Sequence, residues 1–345
     1  MLAATIRAHG GPDVVAVEEV VRPRVEAPAD VVVALKAAAL NHLDLFVVGG
    51  LPGRTLAFPH VLGADGAGVV ESVGPAVTRV KPGDRVLLNP GVSCHACDAC
   101  LAGEHSLCTT YRLLGEHLPG TLAEAVRVPE WNATPLPERV SWTDAAAFPL
   151  VHLTAWRMLA TRAAVRPGET VLIWGIGGGV ALAALGIAKL LGATVIVTSS
   201  SDAKLERARA LGADLALNHA ATDVPKELRR RLGGRGVNVV VDSVGEATWE
   251  KSLRALAPGG RLVTCGGTSG PRVVTDVRRM FWYHYTLMGS TMGNAREFAE
   301  IVRLLAAGTL RPVVDGVTPL ADARRALERL ASGAHFGKIV VEIAA

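Results

Sequence analysis

Between Val171 and Ala188 the chain runs VLIWGIGGGVALAALGIA, eighteen residues without a charge. A run of that length reaches the lower limit of a membrane-spanning helix, but Gly175 and Gly177 to Gly179 break it after a short β-like stretch. A buried strand, a tight turn and a buried helix account for the pattern better, and a membrane span is excluded. The same rhythm continues. Strand-like runs at Val171–Trp174, Val195–Thr198, Leu215–Leu217, Val237–Val241, Arg261–Cys265 and Thr286–Gly289 mostly alternate with helical patterns at Asp202–Leu211, Asp223–Leu232 and Ala247–Leu256. Short apolar strands separated by helices predict an α/β domain built on a doubly wound parallel sheet. Its flanks differ. Short β-like pieces at Asp30–Lys36, Gly68–Val73 and Asp84–Leu88 sit between Gly and Pro turns, and the tail from about residue 297 adds two helical stretches and a strand at Lys338–Glu342.

Composition narrows the functional classes. A chain of 345 residues with 50% hydrophobic content is too long for one ordinary core and points to two domains. The net charge is only +4 and aromatics are sparse, so nucleic-acid binding is excluded. The single basic run, Arg229 to Arg231, closes a helical pattern, where cations suit the helix dipole. The start, MLAATIRAHGGPD, lacks the apolar core of a secretory leader, and a cytoplasmic location is expected.

Four of the five cysteines, Cys94, Cys97, Cys100 and Cys108, fall within fifteen residues as C-x2-C-x2-C-x7-C. Thiolates packed so tightly suit a tetrahedral zinc, and four of them close its coordination shell, leaving no position for substrate. One structural zinc is therefore expected. Cys265, alone in LVTCGG, reads as a small buried strand residue.

The glycine turn carries the cofactor signal. The strict G-x-G-x-x-G fingerprint is not met, because Val180 follows the glycines; the phase Gly175-x-x-Gly178-x-x-Ala181 fits better, with Gly179 opening the helix. Glycines after a strand let backbone approach a pyrophosphate at a helix N-terminus. An NAD site normally ends the second strand with an acid for the ribose. Here the strand ends in Thr198, Ser199, Ser200 and Ser201, Asp202 comes too late, and Lys204 and Arg207 follow. Hydroxyls and cations favour a 2′-phosphate, so NADPH is expected rather than NADH.

The stretches AALNHLDLFVVGGLPG, FPHVLGADGAGVVESVGPAV, VKPGDRV, GTLAEAVRVP, AAAFPLVHLTAWRML and FGKIVVEI, together with the cysteine loop and glycine turn, make the chain resemble the medium-chain dehydrogenase/reductase superfamily from end to end. That resemblance implies a GroES-like, mostly β catalytic domain at 1–147 with the zinc loop at 91–108, a Rossmann domain at 148–296, and a return of 297–345 to the first domain. It implies an active site in the cleft between them. It also implies that Thr154, Val244 and Gly266 join the cofactor site.

The departures from the family matter most. Zinc alcohol dehydrogenases of this family hold their catalytic metal at the positions of Asn41, Ala64 and Leu150, and all three are changed; the hydroxyl that starts the alcohol proton relay falls at Leu43. His42, His60, Asp65 and His152 are the residues from which a substitute cage could be built. The Asn41-x-x-Asp44 pattern resembles zinc-free quinone and enone reductases, which implies Asn41 as a donor to substrate oxygen or nicotinamide amide, Asp44 as the residue orienting the loop, and His42 as a proton source. Asn41 could instead cap a turn and Asp44 a helix start. The expected activity is NADPH-dependent hydride transfer to a conjugated carbonyl acceptor such as a quinone, a 2-alkenal or an enoyl thioester. The alternatives are a zinc-type alcohol dehydrogenase with atypical ligands and a catalytically silent cofactor-binding protein. Phe281, Trp282, Tyr283, Tyr285 and Met288 suit a substrate pocket or a subunit interface, and a homodimer or homotetramer is expected.

Overall fold

The structure, a computed structural model, describes residues 1–343. The chain forms two compact units, one of residues 1–150 with 294 onward, the other of Val151–Gly293.

In the second unit, six strands lie in the order Leu215–Asn218, Thr194–Ser199, Thr170–Ile173, Val237–Asp242, Leu256–Thr264, Thr286–Gly289, and every neighbouring pair is parallel. The chain order reverses beside the Thr170–Ile173 strand, which opens a crevice at the carboxyl ends of the strands. Val171, Leu172 and Ile173 are fully buried, as are Val239 and Val240, because helices cover both faces of a parallel sheet. The uncharged run thus divides into this central strand and the Gly179–Leu190 helix, whose Ala181 to Leu185, Ile187 and Ala188 are buried. Among the described residues no helix is long and apolar enough to cross a membrane. One strand departs from its pattern: it begins at Leu256, before Arg261, because Ala257 to Gly260 form a bulge where the register shifts against Val237 and Val239. Cys265 consequently lies just outside the strand. It is half-buried rather than buried, and desolvation with the nearby Asp242 raises its thiol pKa to about 12.

In the first unit, a seven-stranded sheet runs Ala133–Pro135, Arg85–Leu88, Asp65–Val73, Asp30–Ala39, Lys338–Glu342, Val314–Pro319, with Ala125–Pro129 also paired to Asp30–Ala39. Its core joins Val31, Val33, Leu35 and Leu88 to Leu327 and Leu330 of the Ala323–Ala331 helix. The Lys338–Glu342 strand lies antiparallel to Asp30–Ala39, pairing Val340 with Ala39, and Leu40 N–H donates to Ile339 O at 3.0 Å. This pairing joins segments about 300 residues apart and sets Lys338 beside Asn41.

Gly337 turns the chain into that strand at φ +114°, a conformation that side-chain-bearing residues rarely adopt. A Cβ there would sit 2.4 Å from Val313 O. Gly337→Ala is therefore expected to lower unfolding stability by at least about 2 kcal/mol, measured by urea titration at unchanged m-value; a change under about 0.5 kcal/mol would refute the steric reading.

Candidate functional site

The cysteine loop is built by local turns. Cys97 precedes the short Asp98–Leu101 helix, Cys100 lies within it, and a 3-10 turn at His105–Leu107 delivers Cys108. The four sulfurs all lie within 4.8 Å of one another, with Cys94 to Cys100 at 3.9 Å and Cys94 to Cys108 at 3.5 Å. Zn–S bonds of about 2.3 Å in a tetrahedron put sulfurs about 3.8 Å apart, so the set fits zinc. Backbone N–H groups of Cys94 and Cys97 donate to Cys108 Sγ and Cys94 Sγ, each at 3.3 Å. Among the described residues this is the one convergent group of three or more His, Cys, Asp or Glu side chains able to hold a metal.

At the strand ends of the second unit, Gly175 and Gly177 adopt φ +67° and +131°. Gly178 is the N-cap of the Gly179–Leu190 helix, and a Cβ on it would project into open space. The left-handed turns thus fall on Gly175 and Gly177, while Gly178 leaves room for a ligand at a helix N-terminus, where an anion is favoured. Ala181 is buried in the helix. Thr198 Oγ1 accepts from Gly175 N at 3.3 Å. Trp174, 2% exposed, has no partner for its indole N–H and borders a cavity of about 360 Å³ with His219, Lys251 and Arg254. An orphaned buried donor beside open strand ends suits a polar ligand, and the site as a whole fits a dinucleotide.

The ribose edge is more specific. Ser199 Oγ accepts from Ser201 N at 3.1 Å, and Ser201 Oγ caps the Asp202–Ala210 helix by accepting from Lys204 N at 3.4 Å. Asp202 is tethered to Asn218 Nδ2 at 2.8 Å. Ser200 is exposed, and the Lys204 side chain lies over Gly177, with Nζ 3.2 Å from where a Cβ would stand. Val244 N–H donates to the buried Asp242 at 2.9 Å, and Thr264 Oγ1 to Gly266 O at 3.0 Å. Thr154 is buried and its hydroxyl donates to Met292 Sδ at 3.6 Å.

The first unit holds a buried polar cluster. Asn41 precedes the His42–Gly49 helix, and Asp44, 1% exposed, accepts from Asn41 N at 2.7 Å and from Gly63 N at 3.0 Å. Asp44 thereby caps the helix and ties down the loop before Ala64. Desolvation raises its pKa to about 6 against these bonds. The Asn41 side chain points elsewhere: Nδ2 donates to Asp65 Oδ2 at 2.9 Å and to Ala39 O at 3.4 Å, and Oδ1 accepts from Lys338. Asp65, fully buried, also accepts from Leu150 N at 2.8 Å and from Lys338 Nζ at 2.9 Å.

Both ends of the Asn41 amide therefore have protein partners, and its geometry is that of a positioning residue. His42 lies on the exposed side, edge-to-face with Phe46 at 5.1 Å, and desolvation lowers its pKa. His60 is buried with Nε2 3.0 Å from Gly115 O, and among the described residues it joins no convergent group of three or more metal-ligating side chains. Ala64 is buried. The sequence reading missed Lys338; the only signal was a lysine beginning an otherwise apolar final strand.

Comparison with known proteins finds two family domains along the chain. The alcohol dehydrogenase GroES-like domain family matches residues 27–138, and the zinc-binding dehydrogenase family matches 179–307. The chain is 33% identical over 334 residues to a zinc-type alcohol dehydrogenase-like protein of Schizosaccharomyces pombe, 94% of each being covered. It is 31% identical over 339 residues to an acryloyl-coenzyme A reductase of Metallosphaera sedula, with 94% and 95% covered. A solved NAD-dependent alcohol dehydrogenase is 46% identical over the whole of both chains, with a TM-score of 0.95.

Two outcomes follow from these geometries. Cys97→Ser should lower zinc content and thermal stability together, because a closed thiolate site contributes its binding energy to folding; elemental analysis with a melting curve checks this, and unchanged zinc refutes the site. Asp44 has a folded pKa above its unfolded 3.8, so its native state releases the proton later than the unfolded chain. Stability is then fully present below about pH 4 and falls by about 3 kcal/mol as pH rises to about 6. Unfolding of Asp44→Asn, measured beside the unaltered chain at pH 4 to 7, should lack this fall.

Proposed function

We propose, on the premise that this chain belongs to the medium-chain dehydrogenase/reductase superfamily, that it is an oxidoreductase reducing a conjugated carbonyl acceptor without a catalytic zinc. The observation that carries the reading is the Asn41, Asp65 and Lys338 cluster. An amide, a methyl group and an isobutyl group stand at Asn41, Ala64 and Leu150, where the resemblance expects metal ligands, and an ammonium is hydrogen-bonded to Asn41 itself. Neither Ala64 nor Leu150 has a side-chain ligand atom, and the Asn41 amide is already engaged by Asp65 and Lys338. The residues present do not fit a catalytic zinc.

Chemistry then selects the acceptor. Alcohol oxidation needs an alkoxide, which a Lewis acid stabilises. A conjugated carbonyl spreads the incoming charge over its own π system, so hydrogen bonds suffice. The similarity to an acryloyl-coenzyme A reductase supports an acceptor of this class. When bound, a reduced nicotinamide supplies the hydride. Gly175, Gly178 and Gly179 would hold the pyrophosphate, Thr154, Val244 and Gly266 the nicotinamide end, and Ser199, Ser200 and Lys204 the ribose edge. With Asp202 tied to Asn218, that edge offers hydroxyls and a cation, which supports NADPH; the 46% identical NAD-dependent enzyme supports NADH as the second reading. In this reading Asp44 holds the loop, Asn41 positions its neighbours, and His42 is the candidate proton source. Association as a homodimer or homotetramer is part of the same proposal, since Val277, Phe281 and Trp282 are exposed just before the outermost strand of the parallel sheet.

A panel of quinones, 2-alkenals, enoyl thioesters and primary alcohols, each assayed with both cofactors, tests the reading. Reduction of at least one conjugated acceptor is expected, with higher kcat/KM for NADPH, about one zinc per chain and little alcohol oxidation. Chelator-sensitive oxidation of a primary alcohol with the cysteine cluster still filled would overturn it, and turnover of any acceptor excludes a silent protein.

A further inference from the structure

The reading above leaves the acceptor's carbonyl oxygen without a partner, since Asn41, the donor expected from sequence, already has protein contacts at both ends of its amide. The surrounding donors are engaged as well. Asn41 N and Gly63 N serve Asp44, Leu150 N serves Asp65, and His60 Nε2 faces Gly115 O. Lys338 differs. An ammonium carries three N–H donors, and Lys338 directs two of them to Asn41 Oδ1 and Asp65 Oδ2. The third has no protein acceptor among the described residues. Its side chain is 4% exposed, so its field is little screened by water.

We propose that Lys338 is a catalytic residue, donating its third N–H to the carbonyl oxygen of the conjugated acceptor and supplying the positive charge that no metal provides. This rests on the reading of the chain as a reductase of conjugated carbonyls. Hydride from a reduced nicotinamide dinucleotide forms a C–H bond at the β-carbon as the carbon–carbon π pair shifts toward the carbonyl carbon and the carbonyl π pair moves onto oxygen. The nicotinamide is oxidised and the acceptor becomes an enolate. Lys338 stabilises the enolate oxygen while keeping its proton, and the α-carbon takes its proton from His42, the proton source of the functional reading, which water then reprotonates. Asp65 and Asn41 fix the ammonium so that no reorganisation is needed as charge develops.

Removing Lys338 alone would leave Asp65 as an uncompensated buried charge, which destabilises a fold strongly. The informative variant is therefore Lys338→Met with Asp65→Asn, which removes both charges together, compared with Lys338→Arg, which retains the cation. Zinc content and thermal melting establish that each is folded. On 2-cyclohexenone, whose enolate is strongly basic, the double variant should lose about 10²–10³ in kcat, the usual effect of removing one oxyanion donor. On duroquinone, whose reduced anion is intrinsically stable, the loss should be at least tenfold smaller, and Lys338→Arg should recover part of the cyclohexenone rate. A structural lesion would lower both acceptors by the same factor. Equal loss on both, or full kcat in the folded double variant, would overturn the role of Lys338 and leave the functional reading standing. Failure of the unaltered chain to reduce any conjugated acceptor would overturn the functional reading, and this inference with it.

Discussion

A charged group held away from water must be paired and hydrogen-bonded, or it does not stay charged. The Lys338 and Asp65 pair meets this requirement by recruiting Asn41 and the Leu150 backbone. Much of the first unit is arranged around that requirement. The final strand pairs with Asp30–Ala39 in the register that sets Lys338 beside Asn41, Gly337 makes the turn that brings it there, and Asp44 fixes the loop leading to Asp65 through Gly63. The cluster is costly to build, and replacing it with apolar side chains would be the simpler route to stability. It lies beside the residues that the resemblance places at a metal site.

The two metal-related regions of the chain show opposite physical logic. The cysteine loop has four soft ligands converging within one short segment, and four thiolates would close the coordination of a zinc there. The Asn41, Ala64 and Leu150 positions offer an amide and two hydrocarbon groups, with a lysine in contact. The two regions share no residue, so the side chains of one can differ without touching the other.

At the strand ends of the second unit, glycine conformation and a helix N-terminus divide the work. Left-handed geometry is demanded at Gly175 and Gly177, while Gly178 contributes by leaving space at the start of the Gly179–Leu190 helix. The adjoining Ser201 and Ser199 order the start of the next helix. Asp202, one residue further on, is tied through one carboxylate oxygen to Asn218 of the neighbouring strand.

Features that depend on local pattern were legible in the sequence. Alternating apolar strands and helices determined the parallel sheet, because its strands are buried on both faces and read as continuous apolar runs. The spacing of Cys94, Cys97, Cys100 and Cys108 determined a metal-competent loop, because all four ligands belong to one short segment. The Asn41-x-x-Asp44 pattern marked a helix start whose acid reaches back to the preceding backbone. What a side chain does once folded was another matter. Whether the Asn41 amide faces substrate or protein depended on Lys338, 297 positions away along the chain, and sequence spacing carries no information about that contact. The bulge at Ala257 to Gly260 likewise arose from strand pairing, not from local preference. Only the tertiary structure decided these points, because long-range pairing brings together groups whose charges and hydrogen bonds have no meaning until they meet.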